Sequence, residues 1–218
     1  MRAISFNLPV RSILLATLAL FLSLIAAGQS PSPQLLLDND FVRVSRITIP
    51  ANGDLNLNGK SDTVLVRLSD ESAKFISKGT AVHDANSGSQ DAVDLIVEVK
   101  QHWKPPVRLC AAPAQCTRET KIGQDTIAWS TTLFTNGFLT AMSHKLVESG
   151  TLTSSYYSVK GSDKILVIPF TDLEASFGGK EESLKAGEPY FCDGTQVDVA
   201  ASSGESRWLV LRMNVPKH

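Results

Sequence analysis

The chain has 218 residues, of which 43% are hydrophobic and 20% charged, so there is room for one medium domain or two small ones. This ordinary globular composition excludes a disordered or collagen-like chain, and three cysteines exclude a disulfide-dense scaffold and a four-cysteine zinc module. A net charge of -1 offers no basic surface, so we expect no nucleic-acid partner.

The first segment has the features of a secretory signal peptide. Arg2 and Arg11 are its only charges, and an apolar run, ILLATLALFLSLIAA, occupies residues 13–27 and is followed by small residues. Fifteen residues of helix span about 22 Å, which is less than the roughly 30 Å hydrocarbon core of a bilayer. We predict a cleaved signal at residues 1–28, a secreted or periplasmic location and no stable membrane insertion after cleavage. An uncleaved membrane anchor is the alternative.

The rest of the chain is patterned as short β-strands. The segments TVLVRL at 63–68 and VDLIVEV at 93–99 place apolar side chains at every second position. The segment FVRVSRITI at 41–49 does the same, but its apolar phase changes near Ser45, which predicts a β-bulge there. Clusters of Gly, Asn, Asp and Ser separate these runs, so the pattern predicts an all-β sandwich or barrel.

The chain also repeats itself. Residues 38–55, DNDFVRVSRITIPANGDL, match residues 135–152, TNGFLTAMSHKLVESGTL, at an offset of 97. After a predicted four-residue insertion the offset becomes 101, where SDTVLVRL at 61–68 meets SDKILVIP at 162–169. The repeat predicts two related β units.

The three cysteines divide into a close pair and a single residue. Cys110 and Cys116 are six apart in a proline-containing loop, and an exported protein meets an oxidising compartment, so we predict a disulfide between them. Cys192 lies in the apolar run YFC, where a buried inert thiol is expected and a reactive thiol is the alternative.

Each β unit resembles a cupin, the small double-stranded β-helix or jelly-roll barrel. The resemblance is carried by DNDFVRVSRITIPANGD and TVLVRLSD in the first unit, and by SDKILVIPFTDLEASFGGKEESLKAGEPYFCDGT and RWLVLRM in the second. It implies two cupin-like units, a shortened one at 34–103 and a longer one at 123–217, joined by a connector at 104–122 that contains proline and cysteine.

Active cupins of this type hold a metal with three histidines and a glutamate, a donor set that suits iron, manganese, nickel or zinc. Carried onto this chain, the resemblance places these ligand positions at Tyr156, Ser158, Asp163 and Gln196 or Val197 in the second unit, and at Gly59, Ser61 and Asp62 in the first. Because imidazole is missing from every one of them, we expect no metal and no other cofactor.

Four aromatic or polar residues, together with Asp163, are the candidates for a ligand pocket in the second unit: His144, Tyr156, Ser158 and Gln196. His144 shares its strand parity with Met142 and Leu146, so we predict that it lines the barrel, where an imidazole acts as an acid or base near neutral pH. The alternatives are a hydrogen-bonded core histidine, and side chains that merely fill the vacated metal site.

These observations predict an exported, non-catalytic cupin-like protein with a small-molecule-binding or structural role. Two other functions stay open: a cupin-type isomerase, lyase or oxygenase with a non-standard site around His144, and a subunit of an envelope complex. A small-molecule ligand and a homo-oligomer are the expected partners.

Overall fold

The computed structural model describes most of the chain beyond its N-terminal segment, in residues 32–101, 108–110, 112–122, 125–136, 138–147, 157–159, 164–193, 197–200 and 204–213. The predicted signal at 1–28 lies outside this part. No helix of the described residues is long and apolar enough to cross a membrane.

The described part is almost entirely β-structure, which confirms the all-β prediction. One helix of four residues, α1 (Pro113–Cys116), is present. The strands are β1 (Gln34–Asp38), β2 (Val42–Ile49), β3 (Asp54–Asn58), β4 (Asp62–Arg67), β5 (Ser72–Ile76), β6 (Ala81–Ala85), β7 (Ala92–Val99), β8 (Arg108–Leu109), β9 (Thr117–Ile122), β10 (Asp125–Thr135), β11 (Leu139–Val147), β12 (Tyr157–Val159), β13 (Lys164–Pro169), β14 (Leu173–Phe177), β15 (Lys180–Leu184), β16 (Tyr190–Asp193), β17 (Val197–Ala200) and β18 (Glu205–Met213).

The strands form one sheet order twice. In the first half of the chain the order is β1-β2-β7-β4-β5, beside a small sheet of β3 and β6. In the second half the order β10-β11-β18-β13-β16 repeats it, beside a sheet β12-β17-β14-β15. The hairpin β14–β15 has no counterpart among the described strands of the first half. Strands β8 and β9, from the segment predicted as a connector, both pair with β10.

The pairing registers correct the predicted length of the insertion. Val42 pairs with Val99, and Leu139 pairs with Met213, so β2 matches β11 at the predicted offset of 97. Val64 pairs with Val97 on the neighbouring strand of the first half. Its counterpart by register is Leu166, which pairs with Leu211, and this gives an offset of 102. The second half therefore carries five extra residues here, and the predicted offset of 101 is wrong by one.

The turns that open the repeat are the same in both halves. The side-chain oxygen of Asn39 accepts hydrogen bonds from the amides of Phe41 and Val42, at 2.9 and 3.0 Å. The side-chain oxygen of Asn136 accepts from Phe138 and Leu139, at 3.2 and 2.7 Å. Asparagine suits this turn because its short amide mimics a backbone carbonyl.

Three hydrophobic clusters fill the spaces between the sheets. The largest lies between the five-stranded sheet of the first half and the seven-stranded sheet of the second half, and includes Val44, Val97, Leu166 and Leu211. A second lies between β-sheets of the second half, and a third lies between those of the first half. We call the spaces that hold these last two clusters the second interior and the first interior.

Strand β2 crosses the sheet without the predicted bulge at Ser45. It pairs with β7 in a single unbroken register from Val42 to Ile49. Val44 packs between the two large sheets, whereas Ile47 and Ile49 pack in the first interior. The apolar phase changes because both faces of this sheet are buried. The first part of β2 buries one face against the other large sheet, and the last part buries the opposite face in the first interior. The register shift in this region lies instead in β1, between Leu35 and Leu37.

A glycine turn brings the two halves into close contact. Gly187 has φ of 75° and its carbonyl accepts a 2.9 Å hydrogen bond from the Arg46 guanidinium. A Cβ at this position would lie 2.9 Å from a methyl carbon of Leu68, so both the conformation and the space require glycine.

Candidate functional site

His144 lies in the second interior, on the strand face predicted from its parity. Met142 and Leu146, two residues to either side, both pack with the second hydrophobic cluster. His144 itself is 4% exposed and lies opposite Ser130 on β10 and Trp208 on β18. Its imidazole stacks on the Trp208 indole, with ring centroids 5.2 Å apart and planes 18° from parallel.

Burial determines the charge of His144. Loss of hydration lowers the pKa of His144 from 6.5 to about 3, because the apolar surroundings disfavour imidazolium. The side chain is therefore neutral at physiological pH. It acts as a flat polar ring against Trp208 and carries no charge.

Two buried polar groups beside His144 have no hydrogen-bond partner among the described residues. They are the indole nitrogen of Trp208 and the hydroxyl of Ser206, in side chains that are 2% and 1% exposed. Both residues lie on β18 at alternate positions, so they share one face of the strand. Trp208 packs in the second cluster, which identifies that face as the one lining the second interior.

The loop after β13 anchors this part of β18. The amides of Phe170 and Thr171 donate to the carbonyl of Arg207 at 2.9 and 3.2 Å, and the Arg207 amide donates to the Thr171 hydroxyl at 2.9 Å. These bonds fix the backbone between Ser206 and Trp208. Strand β18 begins at Glu205, which is exposed, so Ser206 and Trp208 are the first two buried residues on this face of the strand.

The other predicted pocket residues are not placed by the structure. Tyr156, Asp163 and Gln196 lie outside the described residues. Ser158 lies in β12, where it pairs with Asp198 across the sheet, and its side chain is outside the described part. Of the predicted set, only His144 is described as a side chain in the second interior.

The described side chains do not fit the metal of active cupins. Among the described residues, no group of three or more His, Cys, Asp or Glu is arranged to hold an ion. The described side chains of the second interior include one imidazole, an indole, a thiol and a serine hydroxyl. An indole nitrogen donates a hydrogen bond but has no lone pair for a metal. This set lacks the several nitrogen and carboxylate ligands that a first-row divalent ion needs.

The cysteines lie in two different environments. Cys110 and Cys116 are joined by a disulfide with Cα atoms 6.3 Å apart, beside α1. Cys192 is a buried free thiol on β16 and belongs to the second cluster. Burial raises the pKa of Cys192 to about 12, so the unreactive thiol form predominates.

The first interior, unlike the second, contains a network of charged side chains. The guanidinium of Arg67 binds Asp94 through two nitrogens, both at 3.1 Å, and binds Asp84 at 2.8 Å. The Asp94 side chain is fully buried. Burial raises the pKa of Asp94, and the bonds from Arg67 only partly offset this effect.

Sequence reasoning missed Trp208, Ser206 and the Arg67 network. In the closing strand, Leu209, Leu211 and Met213 alternate along the sequence and pack in the largest cluster, against the neighbouring large sheet. The same alternation puts Trp208 on the opposite face with Val210, and that parity was the available signal. Asp94 was visible as a carboxylate within an alternating apolar strand.

Solved structures with a similar fold come from several bacteria. AerE from Microcystis aeruginosa matches at a TM-score of 0.57 and 11% identity, over 85% of this chain and 98% of that one. A cupin 2 conserved barrel domain protein from Leptotrichia buccalis matches at 0.51 and 14%, over 89% and 94%. The protein Ylba from E. coli matches at 0.56 and 10%, over 87% and 86%. No family model and no curated protein matches the sequence. At these identities the likeness concerns the fold.

Proposed function

The chain has the cupin fold, and on that premise we propose that it is an exported, metal-free protein that binds a small molecule in its second interior without transforming it. The observation that carries the proposal is the pair of buried polar groups, Trp208 Nε1 and Ser206 Oγ, which have no partner among the described residues. Buried polar groups in folded proteins are nearly always hydrogen-bonded, so an unpaired pair on one face favours a bound molecule.

The properties of His144 favour binding over catalysis. A general base works best when its pKa lies near the working pH, whereas burial holds the pKa of His144 near 3. Its ring is also stacked on Trp208, which restricts its movement toward a substrate. An enzyme that uses this histidine as a general base would need surroundings that raise the pKa of His144.

Two features support export. The first 28 residues have the charge, apolar length and small-residue end of a secretory signal. The disulfide between Cys110 and Cys116 suits the oxidising conditions outside the cytoplasm.

The proposal is tested with untagged protein purified from the exported fraction. We expect native mass spectrometry to detect a co-purified small molecule, or a thermal-shift screen to find compounds that raise the melting temperature. A ligand at 100 times its dissociation constant adds about 2.7 kcal/mol of stability. The Trp208→Phe variant should lose the effect, and Trp129→Phe is the matched control. Chemical conversion of a hit by the wild-type protein would contradict the proposal.

A further inference from the structure

We propose that the molecule held in the second interior is uncharged and carries a hydrogen-bond acceptor such as a ketone, ester or ether oxygen, which accepts from Trp208 Nε1 and lies beside Ser206 Oγ. This inference rests on the proposed function and adds the chemical class of the ligand.

The need for an acceptor follows from the chemistry of tryptophan. An indole N–H donates one hydrogen bond and accepts none. In Trp208 this N–H is buried and has no acceptor among the described residues. A ligand therefore binds more tightly here when it presents an oxygen or an unprotonated nitrogen to that proton. A hydrocarbon of the same shape would leave the donor unsatisfied.

Ser206 provides a second polar contact on the same side. It lies two residues before Trp208, on the same face of β18 and closer to the exposed start of the strand. A hydroxyl rotates freely and both donates and accepts. Ser206 can thus contact the acceptor itself or a second polar atom of the ligand, and it orients the polar end of the molecule toward the start of β18.

The absence of a charge follows from the surroundings of the two groups. The buried side chains of the second cluster are apolar apart from the Cys192 thiol and the Trp208 indole, and Tyr190, which packs against the cluster, adds a phenol hydroxyl. The neighbouring ring of His144 is neutral at physiological pH. In the hairpin that covers the interior, Glu174 and Lys180 are exposed, and the partly buried Glu182, on the same strand face as Leu184, is paired with Lys180. An ionic ligand would lose its hydration here without meeting an opposite charge, so a neutral molecule is favoured.

A buried water molecule is the competing occupant. One water in a polar site of this kind makes about three hydrogen bonds, and the indole and hydroxyl would supply two of them. The experiment must therefore distinguish an organic acceptor from water alone, and a neutral acceptor from an ion.

Three probes of similar size make that distinction: acetophenone, ethylbenzene and benzoate. They supply a neutral acceptor, no acceptor and an anion. The readout is the indole N–H cross-peak of Trp208 in the nitrogen–proton spectrum of the full mature chain, assigned by its loss in Trp208→Phe. The cross-peak of Trp129, which lies under Lys145 at 5.4 Å, is the internal control.

We expect acetophenone to move the Trp208 N–H downfield in a saturable way, with ethylbenzene and benzoate having little effect. Ser206→Ala should weaken acetophenone binding several-fold while keeping the same direction of shift, which tests the site without removing the tryptophan. A Trp208 N–H that acetophenone leaves unmoved, as expected for water alone, would overturn the inference. An equal shift with benzoate would overturn it as well.

The same spectra distinguish an error in the ligand class from an error in the proposed binding site. If the probes move the methyl signals of Leu146 and Val210 but not the Trp208 N–H, the ligand class is wrong and the binding role stands. If no probe moves any of these signals, both the inference and the proposed binding site fail.

Discussion

Asp94 and Trp208 occupy equivalent positions of the repeated sheet and give the two interiors opposite polarity. Asp94 pairs with Ile47 and Arg67, and Trp208 pairs with His144 and Pro169. These partners are related by the same offsets of 97 and 102 that relate the strands. The first interior thus contains a buried ion pair at the place where the second contains stacked aromatic rings.

The ion pair leads to a prediction about stability. Arg67→Met should lower the free energy of unfolding by about 3 kcal/mol, because it leaves the buried Asp94 carboxylate without its partner. The double variant Arg67→Met with Asp94→Leu should recover much of that loss, since two apolar side chains replace the pair. Urea unfolding of the wild type, of the single variants Arg67→Met and Asp94→Leu, and of the double variant measures the coupling. A single variant as stable as the wild type would contradict the structural role.

A second prediction concerns acid stability. The unfolded chain protonates His144 near its ordinary pKa of 6.5, whereas the folded chain does so only near 3. The unfolded state therefore binds the extra proton between these values, and stability falls by about 1.4 kcal/mol per pH unit as pH decreases through this window. Above pH 6.5 the effect fades, because the unfolded chain also loses the proton.

The contribution of His144 is isolated by a matched pair of variants. His144→Phe should flatten the slope between pH 6.5 and 4 relative to the wild type. His83→Phe, which removes an exposed imidazole, is the control variant. Asp94 shifts stability in the opposite sense over part of this range, since its raised pKa makes the folded state bind a proton more readily. Both variants retain Asp94, so its effect cancels. Equal slopes in all three proteins would contradict the neutral buried histidine.

The cysteines give a third prediction. With the raised pKa of Cys192, native oxidised protein should react with no thiol reagent at pH 8 on the timescale that labels an exposed cysteine. Unfolding in denaturant without reductant should release one reactive thiol, with Cys110 and Cys116 still joined. Peptide mapping that places Cys192 in a disulfide would refute this arrangement.

Export gives a fourth prediction, which depends on the first 28 residues. The mature protein should begin close to residues 28–30 and leave the cytoplasm, because the apolar run is shorter than a membrane span and ends in small residues. N-terminal sequencing of protein from its native host checks this. Mature protein that still begins at Met1 would contradict it.

Local patterns predicted much of the fold but little of the site. Alternation along β7 and the repeated turn at Asn39 follow from neighbouring residues, so the strands and the repeat were visible in the sequence. The burial of both faces of β2 was not visible in the sequence, because it depends on a second sheet that is distant in the chain. His144 was found by its parity with Met142 and Leu146. Trp208 was missed because its importance comes from its cross-strand partner on β11.

The central claim, that the second interior is a metal-free ligand site, is tested most directly by elemental analysis of untagged protein, together with melting curves with and without chelator. The account predicts far less than one equivalent of iron, manganese, nickel or zinc, and a melting temperature that chelator leaves unchanged. Near-stoichiometric metal that is lost in His144→Ala, with a melting temperature lowered by chelator, would contradict it, since removing a ligand that binds only the folded state removes its stabilisation.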